Sequence, residues 1–208
     1  MSGDLPSLFE TGPMFRRAPV GYDRFQVDTY VQWAEDELAS AEPEGLRRDE
    51  AVELASRWHG RDRLGYAITP RFAPSCTELQ LRGAGELAAT HPDVWIQSHV
   101  AENVDEVRWA RELFPRSRSY LAVYDDFGLM RERAIYAHCI HLDEQDRALM
   151  RSSGAAAAVS PTSNLFLGSG FFDYDAAQRA GFRYGLASDV GGGTSFSPFH
   201  TMLAAYYV

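Results

Sequence analysis

From residue 63 onward, short apolar runs alternate with segments of helical periodicity, and this alternation constrains the fold more than any other feature of the sequence. The runs lack the strict polar alternation of half-exposed strands, which is typical of parallel strands covered on both faces. Strands that alternate with helices predict βα units and an α/β fold. The expected strands are residues 64–69, 94–99, 134–138, 155–159 and 184–188.

The segments between these runs carry start and stop signals of helices. Asn103 and Asp143 are placed to cap the first turns of helices at 103–113 and 143–153, and Gly154 and Gly181 to end helices. The expected helices are residues 78–90, 103–113, 119–127, 143–153 and 175–180.

Residues 1–62 differ in texture from residues 63–208, and we predict a boundary between them. Residues 1–21 are irregular, whereas 27–41 and 51–58 have the apolar spacing of amphipathic helices. Residues 21–31 weakly resemble the start of DivIVA-like coiled-coil proteins, and an ordinary solvated helix is the alternative. The first part is thus expected to be an irregular leader followed by amphipathic helices.

Composition narrows the classes of partner and compartment. A net charge of −9 over 208 residues opposes binding to phosphate backbones, so we expect no nucleic-acid partner. No apolar stretch is long enough to span a membrane, and the N-terminus has no secretory pattern. Cys76 and Cys139 are too few for a disulfide framework and favour reduced thiols in the cytoplasm.

Metal-binding residue types stand at the ends of three predicted strands. His99, His138 and Asp189 occupy these ends, and parallel strands bring their carboxyl ends to one edge of the sheet. Imidazole nitrogens and carboxylate oxygens are common zinc ligands, so the pattern predicts a site for a divalent metal ion. Glu102 follows His99 by three residues, where its carboxylate can face a metal-bound water.

Each of these residues also has a purely structural interpretation. A single strand-end histidine is more often hydrogen-bonded than metal-bound, and a strand-end aspartate often caps the next helix. Taken alone, Arg71 is best read as a surface ion-pair partner and residues 161–164 as a turn. The joint occurrence of His99, His138 and Asp189 is what favours a site. The other histidines, His59, His91, His141 and His200, are expected to be structural.

Several segments of residues 64–208 together resemble the guanine deaminases of the amidohydrolase superfamily. The segments that carry the resemblance are Thr69-Pro70-Arg71-Phe72, Gln97-Ser98-His99-Val100-Ala101-Glu102-Asn103, Ala137-His138, Pro161-Thr162-Ser163-Asn164-Leu165 and Ser188-Asp189-Val190-Gly191-Gly192-Gly193-Thr194-Ser195.

The resemblance implies a metal-dependent hydrolase of the TIM-barrel type that converts guanine to xanthine and ammonia with one zinc ion. It implies His99, His138 and Asp189 as zinc ligands and Glu102 as the proton shuttle beside a catalytic Asp189. It further implies that Arg71 and Phe72 bind the purine, and it leaves a homodimer open.

The sequence departs from the family pattern at two ligand positions. Amidohydrolases carry a His-x-His pair after the first barrel strand, and these 208 residues contain none. A complete barrel of this type takes about 250 residues, so we expect residues 63–208 to form only the later strands of a truncated or fused product. Two alternatives follow: an inactive remnant that acts only as an interaction protein, and a related amidohydrolase that deaminates another amino-heterocycle. The Pro70-Arg71-Phe72 element argues against the second.

Overall fold

The apolar runs after residue 63 form a five-stranded parallel sheet in a computed structural model. The model describes the backbone of residues 44–208 and the side chains from residue 50 onward. The leader at 1–21, the helix at 27–41 and the DivIVA-like segment lie outside the described residues. The strands, in spatial as well as chain order, are β1 (Ala67–Ile68), β2 (Trp95–Val100), β3 (Ala134–His138), β4 (Ala156–Val159) and β5 (Arg183–Leu186).

Helices connect the strands, as expected for βα units. A short 3-10 turn, Ala73–Ser75, follows β1. The helices are α1 (Glu44–Trp58), α2 (Glu78–Thr90), α3 (Val104–Leu113), α4 (Tyr120–Asp126), α5 (Glu144–Ser153), α6 (Pro161–Leu167), α7 (Tyr174–Ala180) and α8 (Pro198–Tyr207). The expected α/β class and the partial parallel barrel sheet are confirmed.

Capping residues set the helix boundaries where the sequence predicts them. The Asn103 side chain accepts from the Glu106 N–H at 2.8 Å, and the Glu106 carboxylate accepts from the Asn103 N–H in a reciprocal capping box. Asp143 and Asp146 form the same arrangement at α5. That helix ends at Gly154, whose φ of 72° is the left-handed conformation that favours glycine.

The core lies between the sheet and the helices. Ile96 and Val100 of β2 and Tyr136 of β3 are fully buried, together with Leu81 of α2 and Leu121 of α4. These residues belong to one apolar cluster that runs under the strands. Because the cluster fixes the strands in register, it also fixes the positions of the side chains at the strand ends.

Several segments differ from the sequence predictions. The turn favoured at 161–164 is instead the first half of α6, in which Pro161 takes the first helical position, where its missing N–H costs no hydrogen bond. The β1 strand is shorter than the predicted 64–69 because only Ala67 and Ile68 pair with β2. Helix α8 was not predicted.

The described part of the sheet is open, with β1 and β5 as its edges. Every residue of β5 is exposed, including Tyr184 and Leu186. Such an open edge is what the expectation of a partial barrel implies. None of the helices in the described range is both long enough and apolar enough to cross a membrane. The division between residues 1–62 and 63–208 stays a prediction.

Candidate active site

The two strand-end histidines lie side by side. His99 is on β2 and His138 ends β3, and the register of these neighbouring strands pairs His138 with Val100. Their ring centroids are 5.6 Å apart with an interplanar angle of 29°. Parallel pairing has therefore brought together two imidazoles that are 39 positions apart in the sequence.

Hydrogen bonds orient both rings in the same sense. The His99 Nδ1 lies 2.7 Å from the Arg71 carbonyl oxygen, and the His138 Nδ1 lies 2.9 Å from the Asn164 Oδ1. Both partners are acceptors, so each Nδ1 carries a proton, and in the neutral imidazole the lone pair then lies on Nε2. This is the arrangement in which a second contact fixes the tautomer of a metal-binding histidine.

Glu102 lies beside the histidine pair. Its Oε2 is 3.5 Å from the His138 Nε2, and its Oε1 accepts a hydrogen bond of 3.2 Å from the Ser169 hydroxyl. The Glu102 backbone N–H donates to the Glu106 carboxylate at 2.9 Å. That carboxylate also accepts from the Tyr120 hydroxyl at 2.6 Å. Glu102 is thus held at its backbone and side chain with the carboxylate directed at His138.

The loop after β1 joins the same edge of the sheet. Phe72 forms an isolated parallel bridge with His99, and the Arg71 carbonyl accepts from the His99 N–H at 3.1 Å. The Arg71 guanidinium carbon is 5.1 Å from the centre of the Phe72 ring, and Trp109 packs edge-on at 6.1 Å. The structure therefore places the two residues that the sequence assigned to the purine next to His99.

Asp189 lies farther along the edge, after β5. Strand β4 lies between the strands of His138 and Asp189, and neighbouring strands are about 4.8 Å apart. A Cβ at Gly192 would lie 2.8 Å from Asp189 Oδ2 and 2.9 Å from Ser163 Oγ, so both oxygens border the same spot. Ser163 is fully buried, and its hydroxyl has no hydrogen-bond partner among the residues that the structure describes.

Two of the three predicted ligands, His99 and His138, suit a metal ion. The oriented His99 and His138 rings have the chemistry of zinc ligands. Within residues 44–208, however, no three His, Cys, Asp or Glu side chains form a group that could hold a metal ion. Cys139, next to His138, is no substitute, because burial raises the pKa of its thiol and keeps it protonated. The ligand role of Asp189 stays a prediction.

Backbone strain concentrates at the same edge. Four of the five described non-glycine residues with a positive φ lie here, namely Ala101, His138, Cys139 and Asp189, with values of 51°, 67°, 55° and 46°, and the fifth is Asp62 with 54°. Such conformations are costly for L-residues and cluster at functional sites, where the surrounding structure holds them in place. Here they follow the ends of β2, β3 and β5.

Three of the four remaining histidines, His59, His91 and His141, have structural side-chain contacts. His59 bonds Asp93 at 3.0 Å and accepts from the Tyr66 N–H, while His141 lies 3.0 Å from the Ser169 carbonyl oxygen. His91 ends α2 with a ring nitrogen 3.2 Å from the Leu87 carbonyl oxygen.

Sequence reasoning missed three residues that support the site. Asn164 orients His138, Ser169 holds Glu102, and the buried Tyr124 hydroxyl bonds the His99 carbonyl at 2.7 Å. Asn164 belongs to a motif that the sequence did single out, and its position in a predicted strand-end segment was the available signal. Ser169 and Tyr124 reach the site from distant parts of the chain and left no local signal.

Comparisons with known proteins identify related sequences. A model of the Amidohydrolase family matches residues 17–207. Guanine deaminase of Escherichia coli (strain K12) is 40% identical over 159 residues, which are 76% of this chain and 36% of that protein. The guanine deaminase of Homo sapiens is 36% identical over 141 residues, covering 68% of this chain and 31% of its own length. The chain thus spans about a third of these relatives.

Solved structures show the same fold. The structure of E. coli guanine deaminase has a TM-score of 0.78 and 38% identity, covering 80% of this chain and 39% of the other. A guanine deaminase from C. acetobutylicum with bound guanine in its active site has a TM-score of 0.75 and 31% identity, covering 79% and 39%. An adenosine deaminase from Xanthomonas campestris with bound zinc, at 24% identity and a TM-score of 0.69, covers 76% and 37% and shares the fold.

Proposed function

The chain belongs to the amidohydrolase family, and we propose from this that its strand-end residues act in the hydrolytic deamination of guanine. The observation that carries the proposal is the attachment of the Arg71–Phe72 loop to His99, beside His138 and Glu102. A substrate-binding element and an acid-base group thereby share one edge of the sheet. In the reaction, water adds its oxygen to C2 of guanine, the bond from C2 to the exocyclic nitrogen breaks, and xanthine and ammonia are released.

Arg71 and Phe72 would recognise the purine. A guanidinium presents several donors in a fixed plane, which suits the carbonyl oxygen and ring-nitrogen acceptors on one edge of guanine. Phe72 offers an aromatic surface on which the base can stack. The contact between Arg71 and the Phe72 ring supports a shared role, because it keeps the donors next to the stacking surface.

Glu102 and Asp189 would move the protons. Glu102 transfers protons between the attacking water, a ring nitrogen and the departing amine, and each such role contributes about 10²- to 10⁴-fold in rate. Its restraint by Ser169 and by the Glu106 carboxylate supports this role, since it limits the positions of the acid-base group. Asp189 accepts a proton from the same water.

His99, His138 and Asp189 would hold the zinc ion. When bound, zinc lowers the pKa of a coordinated water to about 7 and so supplies hydroxide at neutral pH. The orientation of the two imidazoles, each with its Nδ1 held by an oxygen acceptor, supports this assignment. Zinc bound in related structures of this fold is consistent with it.

A second candidate function is that of an inactive relative that only binds other molecules. The observation in its favour is that the described residues 44–208 present two imidazoles with no third ligand grouped beside them. The sequence also lacks the family's His-x-His pair. This candidate predicts a folded protein without turnover. We further propose a purine as the small-molecule partner, a homodimer as the assembly and the cytoplasm as the location. The location is supported by the cysteine content, since two cysteines are too few for a disulfide framework.

The role assignments are tested by metal content and turnover measured on the same preparations. We expect His99→Ala and His138→Ala to lose bound zinc, measured by mass spectrometry of the metal after gel filtration. Glu102→Gln should keep zinc and lower the rate of ammonia release from guanine by at least about 10²-fold, the usual size of an acid-base contribution.

Matched controls come from the same chain. His200→Ala changes an exposed histidine on α8, and Glu112→Gln changes an exposed glutamate on the helix that follows Glu102. Both should retain the zinc content and the rate of the parent. Activity that survives Glu102→Gln, or zinc binding indifferent to both histidine variants, would contradict the assignments.

A further inference from the structure

A buried tyrosine hydroxyl joins the purine loop to the strand end that carries His99. The Tyr124 hydroxyl of α4 accepts from the Ala73 N–H at 2.9 Å and donates to the His99 carbonyl at 2.7 Å. The Ser98 hydroxyl donates to the Tyr124 hydroxyl oxygen at 2.9 Å. The Tyr124 hydroxyl thus donates one hydrogen bond and accepts two, which is the full capacity of a hydroxyl group.

The Arg71 carbonyl also joins the Arg71–Phe72 loop to the strand end that carries His99. The Arg71 carbonyl oxygen lies 3.1 Å from the His99 N–H nitrogen and 2.7 Å from the His99 Nδ1. The Ser98 hydroxyl lies 3.3 Å from it. Arg71 and Ala73 are thus both tied to β2, with Phe72 between them, and only the tie at Ala73 depends on a side chain from another helix.

Resting on the function proposed above, we propose that Tyr124 is a positioning residue that holds the Arg71–Phe72 loop in register with His99. Without its hydroxyl, the buried Ala73 N–H and the His99 carbonyl lose their shared partner. A buried donor without an acceptor is strongly disfavoured, so the loop moves to find water or another acceptor. Phe72 then leaves its place beside the strand end, and guanine binds more weakly.

The position of the Tyr124 ring allows the hydroxyl to be removed without a cavity. The ring is fully buried, and its centroid is 4.9 Å from that of Tyr136 and 6.0 Å from that of Tyr120. Phenylalanine at position 124 keeps these contacts. Tyr136 supplies a matched control, because its buried hydroxyl donates to the Leu129 carbonyl at 3.1 Å and makes none of the loop contacts.

The experiment compares Tyr124→Phe with Tyr136→Phe in the full, zinc-loaded chain. In Tyr124→Phe, amide hydrogen exchange at Ala73, followed by NMR, should accelerate about tenfold or more, as expected for a donor that has lost its buried acceptor. The KM for guanine should rise about tenfold while kcat stays within about twofold, the pattern of lost substrate binding. Tyr136→Phe should leave both unchanged.

Two results would overturn the inference. One is Tyr124→Phe with the Ala73 exchange rate of the parent. The other is an equal rise of KM in Tyr136→Phe, which would mean that any loss of a buried hydroxyl has this effect. The exchange measurement does not depend on turnover. A chain that fails to deaminate guanine therefore contradicts the proposed function. The exchange rate of the Ala73 amide still tests whether Tyr124 holds the loop.

Discussion

At the scale of single residues, Gly192 leaves the space that the Asp189 carboxylate occupies. The atoms nearest to a Cβ at Gly192 would be the ends of two side chains, Asp189 Oδ2 at 2.8 Å and Ser163 Oγ at 2.9 Å. At Gly185, on β5, a Cβ would have nothing within 4 Å. The two glycines therefore form a matched pair, one next to a proposed ligand and one in open space.

We predict that Gly192→Ala displaces the Asp189 carboxylate without unfolding the chain. Side-chain ends can rotate away, so the free energy of unfolding should change by less than about 1 kcal/mol, whereas zinc content and guanine turnover fall. Denaturant titration and metal analysis of the same samples measure both effects. Gly185→Ala should keep zinc and activity. Equal zinc content in the two variants would show that Asp189 is not a ligand.

Residue types at strand ends were the part of the site that the sequence could predict. His99, His138, Glu102 and the Arg71–Phe72 element stand there by local pattern, and parallel pairing brings them together. The supporting contacts could not be predicted, since they depend on side chains that approach through tertiary packing. Tyr124 lies 25 positions from His99, and Ser169 lies 67 positions from Glu102.

At the scale of elements, the cap of α3 couples helix stability to the position of Glu102. Asn103 caps the helix, and the Glu106 carboxylate of the same capping box also accepts from the Glu102 N–H. The first turn of the helix thus anchors the backbone of the proposed proton shuttle. Thr77 forms the corresponding capping box of α2 with Gln80.

We predict that Asn103→Ala lowers the free energy of unfolding by about 1 kcal/mol, the usual cost of losing a cap. It should also lower kcat for guanine, because the Glu102 backbone loses part of its restraint. Thr77→Ala should cost similar stability and leave kcat unchanged. Denaturant curves and steady-state kinetics measure the two effects, and Asn103→Ser should restore both. If the two alanine variants had equal kcat, the cap would have no role in placing Glu102.

Helix α4 and strand β3 contain tyrosines that make the fold sensitive to alkali. Burial raises the pKa of Tyr120, Tyr124 and Tyr136 above the ordinary value of 10.0. In the unfolded chain these phenols lose their protons near that value, while in the folded chain they keep them. The folded state then binds more protons than the unfolded state, so their contribution is complete below about pH 10 and is lost as the pH rises further.

We therefore predict that the denaturation midpoint falls steeply above about pH 10 and that Tyr136→Phe makes this fall shallower. The exposed Tyr206 of α8 gives the matched control, and Tyr206→Phe should keep the slope of the parent. Urea titrations at several pH values between neutrality and alkali measure the slopes. Identical slopes for Tyr136→Phe and the parent would contradict the role assigned to burial.

Element boundaries were predictable where a cap or a glycine marks them. Asn103, Asp143, Gly154 and Gly181 all mark helix ends as predicted, because their conformations and hydrogen bonds are local. Helix α6 was not recognised, since its residues also suit a turn and the choice depends on the burial of residues 161–164 in the folded chain.

At the scale of the whole molecule, the α/β class and the parallel sheet follow from the rhythm of apolar runs and helices. The strand order β1 to β5 is the order along the chain, which right-handed βα units produce without crossing connections. The absence of a His-x-His pair was also visible in the sequence. The distance of Asp189 from the two histidines was not, because it depends on β4 lying between β3 and β5.

The central claim is that this set of strand-end residues deaminates guanine. The most direct measurement is the release of ammonia and xanthine from guanine by the purified, zinc-loaded chain, with zinc content determined on the same sample. We predict that guanine yields equal amounts of ammonia and xanthine, and that the rate falls to background in Glu102→Gln. Stoichiometric zinc with neither product would contradict it and favour the inactive relative.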